Sequence, residues 1–235
     1  MPKSNGIVAI VQARMGSTRL PGKVLMRISG EPILWHVVER LKKSELIDKI
    51  VIATTITRDD LAIVKFCQEN NITYFRGFEE DVLDRYYQAA KVNRAAIIVR
   101  ITADCPLIDP DVVDKTIRYY MDSKGKFDYV SNILKRTFPR GLDTEVFGFE
   151  VLRKVWKEAK KGYEREHVTV YIYEHPKIFW LGNLENKNNL SGMRWTVDER
   201  KDFEFVNEIY KRLYKRRNIF YMNDVVRLLE KEPSL

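Results

Sequence analysis

The chain has 235 residues, 41 Lys plus Arg against 33 Asp plus Glu for a formal charge of +8, 45% hydrophobic and 31% charged residues. Those totals exclude a fibrous or disordered chain, and a protein of this length buries about 70–75% of its unfolded surface, so its stability requires neither disulfides nor structural metals. Cys67 and Cys105 form neither a disulfide framework nor a Cys/His cluster of zinc spacing, which fits a reducing cytoplasm.

No apolar run approaches the roughly 18 residues needed to span a bilayer. The opening MPKSNGIVAIVQAR holds only IVAIV before polar residues resume, and reads as a strand rather than a signal peptide. A pI near 9.3 admits nucleic acid, anionic membrane or phosphorylated small molecules as partners. The densest basic run, KRLYKRR at 211–217, continues a pattern of Phe203, Val206, Ile209, Tyr210 and Leu213 that repeats every three or four residues. That spacing makes it the solvated face of an amphipathic helix, so neither a nucleic acid nor a membrane is expected as partner.

In chain order, IVAIV (7–11), KIVIAT (49–54), ITYFRG (72–77) and AAIIVRI (95–101) are short β-rich runs. Between them lie helical patterns at 32–43, 58–70 and 81–93, an alternation that predicts βαβ units. Thr57 followed by Asp60 resembles a capping box, and Asp109, Pro110 and Asp111 read as N-cap, first-turn proline and first-turn acid of a helix continuing through VVDKTIRYYM. Strands made almost wholly of Val, Ile and Ala are buried on both faces, which predicts a mostly parallel sheet with helices on each side. Later, FDYVS, EVFGF, IFWLGN and MRWTV read as strands, the second half adding antiparallel strands to the same sheet, with helices at 150–160, 164–174, 202–215 and 222–231. With no repeat or long linker, residues 1–235 are expected to form one domain.

The segment ARMGSTRLPGK, residues 13–23, follows the first strand, where open α/β sheets bind ligands. Gly16 and Gly22 let the backbone approach a ligand closely, and Arg14, Arg19 and Lys23 supply positive charge, as a loop wrapping a triphosphate requires. Five residues separate the glycines and Val24 follows Lys23, so this is not a Walker A loop, nor does it contain GxGxxG. Asp104, in RITADCP at the end of the fourth strand, is placed either to form a turn or to hold Mg²⁺ against phosphates. Asp198, in MRWTVD, ends a second β-rich run in the same way, and Mg²⁺ usually takes one or two protein carboxylates.

ARMGSTRLPGK, TADCPLI and the VD of TVDERKDFEFV together resemble the nucleotide loop and the two metal aspartates of the sugar cytidylyltransferases, which include the acylneuraminate and 3-deoxy-manno-octulosonate enzymes. DVLDRYYQAA, FPRGLDTEVFGFEVL and EREHVTVYIYEHP look like the spore-coat polysaccharide branch of that family. Arg140 and Val170 depart from its pattern. The resemblance implies a Rossmann-like α/β/α sandwich with a mostly parallel mixed sheet, often dimeric. It also implies attack by a hydroxyl of an acidic sugar on the α-phosphorus of CTP, giving a CMP-sugar and pyrophosphate for surface polysaccharide or glycan synthesis.

On that template Arg14 and Lys23 are the catalytic cations. Ala13, Gly16, Ser17, Arg19, Thr102, Asp84 and Arg85 contact the nucleotide, and Asp104 and Asp198 hold Mg²⁺. Arg140, Gly141, Asp143, Glu145, Arg165, Glu166 and His167 line the acceptor pocket. Trp35, Trp156, Trp180 and Trp195, in apolar-periodic stretches, read as core, and Cys105 has no basic partner to activate it. Three other readings stay open: a nucleotidyltransferase with another nucleotide or a non-sugar acceptor, a glycosyltransferase (although no Asp-x-Asp stands at Asp104), and a non-enzymatic nucleotide- or nucleic-acid-binding protein.

Overall fold

The Val/Ile/Ala runs form strands because each is covered on both faces. In β1 (Ile7–Gln12), Ile7, Ala9 and Val11 point into one helical layer while Val8 and Ile10 point into the other, the two-residue alternation of a pleated strand. The computed structural model describes residues 6–215 and 218–235, so MPKSN and the last two arginines of KRLYKRR lie outside the described residues.

After β1 come a single 3-10 turn (Lys23–Leu25) and a two-residue hairpin, β2 (Arg27–Ile28) with β3 (Glu31–Pro32). Helix α1 (Ile33–Leu41) leads to β4 (Lys49–Thr55), α2 (Leu61–Glu69) to β5 (Thr73–Gly77), and α3 (Val82–Val92) to β6 (Ile97–Thr102). Then follow α4 (Pro110–Asp122), β7 (Tyr129–Ser131), β8 (Glu145–Gly148), α5 (Phe149–Glu158), α6 (Gly162–Glu166), α7 (Val170–Glu174), β9 (Leu181–Asn183), α8 (Arg200–Leu213) and α9 (Met222–Lys231).

Among the described residues, seven strands share one sheet in the order β5-β4-β1-β6-β8-β7-β9. β1 runs parallel to β4 and β6, β4 runs parallel to β5, and β8 runs antiparallel to both β6 and β7. The chain therefore moves outward from β1 through β4 to β5, then returns to place β6 on the other side of β1. That reversal puts a crevice at the carboxyl ends of β1 and β6, where Gln12 pairs in register with Thr102. Helices α1, α2 and α4 cover one face, and α3, α5 and α7 the other. A third apolar cluster, with Trp195, Val197, Val206, Ile209, Phe220 and Val225, packs α8 and α9 beneath the crevice.

The α/β/α sandwich and its mostly parallel mixed sheet agree with the sequence, and Asp109 caps α4 as read, accepting from the backbone N–H groups of Asp111 and Val112. Four local expectations need correction. MRWTV forms no strand, because its backbone bonds are divided between two partners. Trp195 N–H donates to the Arg140 carbonyl at 2.7 Å, whereas Val197 N–H donates to that of Asp104 at 2.8 Å, and only an isolated bridge joins Arg140 to Arg194. The helix expected over 164–174 breaks into α6 and α7 around Val168, whose φ is +52°. Asp60 is not the third member of a capping box begun by Thr57: it is buried and serves the strand ends described below. Trp180 is 70% exposed instead of core.

Gly141 fixes how closely the 138–142 segment approaches Trp195. Its φ is +107°, and a Cβ there would lie 2.7 Å from the backbone nitrogen of Thr196, so both conformation and space require glycine. Gly141→Ala is expected to lower the unfolding free energy by about 3 kcal/mol, read as a reduced midpoint in urea. An unchanged midpoint contradicts this packing.

Candidate active site

The loop after β1 holds its shape through backbone capture. Ser17 N–H and Gly22 N–H both donate to the Met15 carbonyl at 2.9 Å, and Gly22 (φ +70°) takes the left-handed conformation that turns the chain into the 3-10 turn carrying Lys23. Asp60 anchors the base of this loop. Its carboxylate accepts from Met15 N–H at 2.7 Å, from both the N–H and the hydroxyl of Thr55, and from the Thr54 hydroxyl. A loop that must present cations is thus tied at its root by a buried carboxylate, which the sequence offered only as a cap.

Lys23 is 8% exposed. Its ammonium donates to Asp104 Oδ2 at 2.7 Å, Asp198 Oδ1 at 2.9 Å and the Val197 carbonyl at 2.7 Å, which uses all three of its protons. The two acids expected to share a site therefore meet on one cation. Asp198 also receives Arg194 at 2.6 Å and Arg19 at 3.3 Å; Arg19 reaches Glu199 as well, at 3.5 Å. Arg14 faces Glu79 at 3.6 Å. Each cation of the loop has a carboxylate opposite it.

These contacts set the titration behaviour. Burial works against the charged form of Lys23, but the charges of Asp104 and Asp198 and their hydrogen bonds outweigh it and raise its pKa. Burial likewise disfavours ionised Asp198, yet its hydrogen bond and charge pairing with Lys23, then Arg194 and Arg19, hold its carboxyl below the usual range. Asp198 thus stabilises the fold above its unfolded value of about 3.9 and loses that contribution as pH falls through its lower folded value. Lys23 contributes below about 10.4 and loses that as pH rises through its higher folded value. The tie spans the neutral range.

Two cavities open over the crevice. The smaller, about 260 Å³, is lined by Ser17, Thr18, Arg19, Lys23, Thr102, Asp104 and Asp198. The larger, about 670 Å³, is lined by Glu79, Glu80, Val82, Arg85, Gly162, Glu166 and His167. Gln12, Ala13 and Arg14 form the wall common to both. Gly16 lies in neither lining but approaches Glu79, where a Cβ would come within 3.3 Å of Oε1. Arg85 is buried, donates to the Phe78 carbonyl at 3.2 Å and leaves its Nε without a partner.

Most of the remaining expected site residues have partners within the protein. Asp84 accepts from the Trp156 indole at 2.7 Å and from Gln88. Asp143 is held by both terminal nitrogens of Arg136, at 2.6 and 3.0 Å. Arg165 grips Asp81, with Nη2 at 2.6 Å. Glu145 is buried against Arg100 and the Tyr129 hydroxyl, Arg140 is exposed, and Gly141 lies under Trp195. None of Arg140, Gly141, Asp143, Glu145 or Arg165 lines either cavity. Of that set, Glu166 and His167 face the larger cavity. Gln12, Glu79 and Glu80 were missed; the acid run GFEED at 77–81 was the one visible signal, and it marked only the two glutamates.

Among the described residues no group of three or more His, Cys, Asp or Glu is arranged to hold a metal, and no helix is long and apolar enough to cross a membrane.

The profile of the cytidylyltransferase family matches residues 8–228. The chain belongs to that family, and is a CTP-dependent nucleotidyltransferase. It is 43% identical to an uncharacterized protein of Methanocaldococcus jannaschii, covering 97% of this chain and 92% of that one. It is 32% identical to the spore coat polysaccharide biosynthesis protein SpsF of Bacillus subtilis, covering 98% and 96%, and 38% identical to the 3-deoxy-manno-octulosonate cytidylyltransferase of Pelobacter propionicus, covering 71% and 74%. A solved cytidylyltransferase from Leptospira borgpetersenii superposes with a TM-score of 0.93 at 34% identity, over 97% of this chain and 95% of that one.

In this cytidylyltransferase, Lys23→Met leaves Asp104 and Asp198 facing each other without their shared cation. The variant is expected to be less stable by roughly 3 kcal/mol at pH 7 and by clearly less at pH 3, because the stabilisation Asp198 draws from Lys23 is lost as pH falls. Urea unfolding at the two pH values checks this, and an equal loss at both contradicts it.

Proposed function

We propose that the chain, acting as one nucleotidyltransferase domain, couples CTP to an acidic sugar, giving a CMP-sugar and pyrophosphate for surface polysaccharide or glycan synthesis. The observation that carries this reading is the meeting of a three-cation loop with two aspartates, Asp104 and Asp198, at the crevice between β1 and β6. The names of the Bacillus and Pelobacter relatives support a sugar acceptor and, for the second, an acidic one.

In the reaction a sugar hydroxyl forms a bond to the α-phosphorus as the bond to the bridging oxygen of pyrophosphate breaks. Catalysis of such a displacement consists of positioning and charge neutralisation. Arg14, Arg19 and Lys23 line the smaller cavity and would grip the triphosphate, each leaving a carboxylate for a phosphate oxygen. The polyanion thus replaces partners the cations already have, and the loop needs no separate ordering. Lys23, once on the phosphates, frees Asp104 and Asp198.

Those two aspartates suit Mg²⁺, which takes one or two carboxylates and completes its shell with water and phosphate oxygens. When bound, the ion would neutralise phosphate charge and lower the pKa of the attacking hydroxyl. Ser17 and Thr102 offer hydroxyls to the phosphates, Arg85 lies where base and ribose would enter, and Glu166 and His167 present polar groups to sugar hydroxyls.

With acidic sugars as acceptors, pyrophosphate release is expected with CTP and not with ATP, GTP or UTP. Lys23→Ala, Asp104→Asn and Asp198→Asn are each expected to lower kcat by about 10²–10³. Equal release from UTP, or wild-type rates in Asp104→Asn, overturns the reading.

A further inference from the structure

Gln12 ends β1 in the wall common to both cavities. Its Oε1 lies 3.1 Å from Arg100 Nη2. Arginine has donors only, so the amide oxygen must face it, and this fixes the amide's orientation without reference to any ligand. Arg100 is in turn bonded to buried Glu145, which also accepts from the Tyr129 hydroxyl at 2.7 Å. A charged pair and two further polar groups therefore run across the sheet from β7 through β8 and β6 to the end of β1. In this relay Arg100 Nε is buried without a partner, whereas the Gln12 amide nitrogen, which also has no bond to the protein, is not among the buried unpartnered atoms.

A buried ion pair is seldom more stabilising than apolar residues of the same size. What this one does is hold an amide rigid, with both N–H groups free, at the junction of the cavities. The sequence offered no such role for Gln12, and Glu145, expected in the acceptor pocket, stands behind it.

Taking the smaller cavity as the seat of the triphosphate, a point that rests on the proposed function, the β- and γ-phosphates lie among the loop cations. The nucleoside and acceptor lie in the larger cavity. The phosphoryl group that must sit at the junction is the α-phosphoryl, the one attacked. We propose that Gln12 is a substrate-binding residue whose amide nitrogen donates to a non-bridging oxygen of that α-phosphoryl group, with Arg100 and Glu145 as its positioning residues. A neutral donor there holds the reacting group without adding to the pull of the cations on departing pyrophosphate.

The test is calorimetric titration of the protein with CTP, CMP, cytidine and pyrophosphate, which requires no acceptor. Gln12→Ala is expected to weaken CTP and CMP by about 10-fold or more, as for loss of a hydrogen bond to a charged group, while cytidine and pyrophosphate stay within about twofold. Gln12→Glu, of the same shape but charged, is expected to weaken CTP and CMP further. Arg100→Lys keeps a cation on Glu145 but removes the planar fork that also reaches Gln12. It is expected to keep the melting temperature and pyrophosphate affinity while losing CMP affinity.

If Gln12→Ala binds all four ligands as the wild type does, or loses pyrophosphate or cytidine as strongly as CMP, the assignment of Gln12 is overturned and the triphosphate cavity stands. A folded Arg100→Lys with wild-type CMP affinity removes Arg100 from the positioning role. If the wild type binds neither CTP nor pyrophosphate, the cavity reading fails and the Gln12 assignment fails with it.

Discussion

One buried ammonium group holds the crevice together. Lys23 joins the loop after β1 to Asp104, 81 residues away, and to Asp198, 175 residues away. Without a cation there, two partly buried carboxylates would face each other in a region of reduced dielectric, where like charges strongly oppose ionisation. Everything around the tie is arranged to bring these three groups together. Gly22 turns Lys23 inward, Asp60 fixes the root of its loop, and the packing of Trp195 and Val197 over α8 and α9 fixes the backbone that bears Asp198.

The same arrangement explains why a basic loop can stand ready for a polyanion. Arg14, Arg19 and Lys23 each have an acidic partner before any ligand enters. The exposed pairs, Arg14 with Glu79 and Arg19 with Glu199, are weak because water and salt screen them. The Lys23 pairs are shielded and correspondingly firm. Phosphate binding then exchanges one set of partners for another, easily at the rim and with a larger rearrangement at Lys23.

How much of this could be read in the sequence follows from what leaves a local mark. The Val/Ile/Ala runs are buried on both faces, so the parallel sheet was visible. The 13–23 loop packs cations and glycines into one stretch, so it was visible too. MRWTV misled because apolar character reports that side chains are buried and says nothing of where backbone N–H groups bond; here they are divided between residue 140 and Asp104. The partners of the expected acceptor residues were hidden for a related reason. A charged residue looks available until its partner is known, and Asp143, Glu145 and Arg165 find theirs in Arg136, Arg100 and Asp81. Gln12, a neutral amide ending an apolar strand, carries no mark at all.

The most direct measurement is electron paramagnetic resonance of Mn²⁺ titrated into the protein with and without CTP. If Lys23 occupies the two aspartates until a triphosphate draws it away, Mn²⁺ binds weakly to the free protein and tightly once CTP is present, and Lys23→Met binds it tightly without nucleotide. Tight Mn²⁺ binding to the free wild-type protein, unchanged by CTP or by Lys23→Met, contradicts the exchange at the centre of the site.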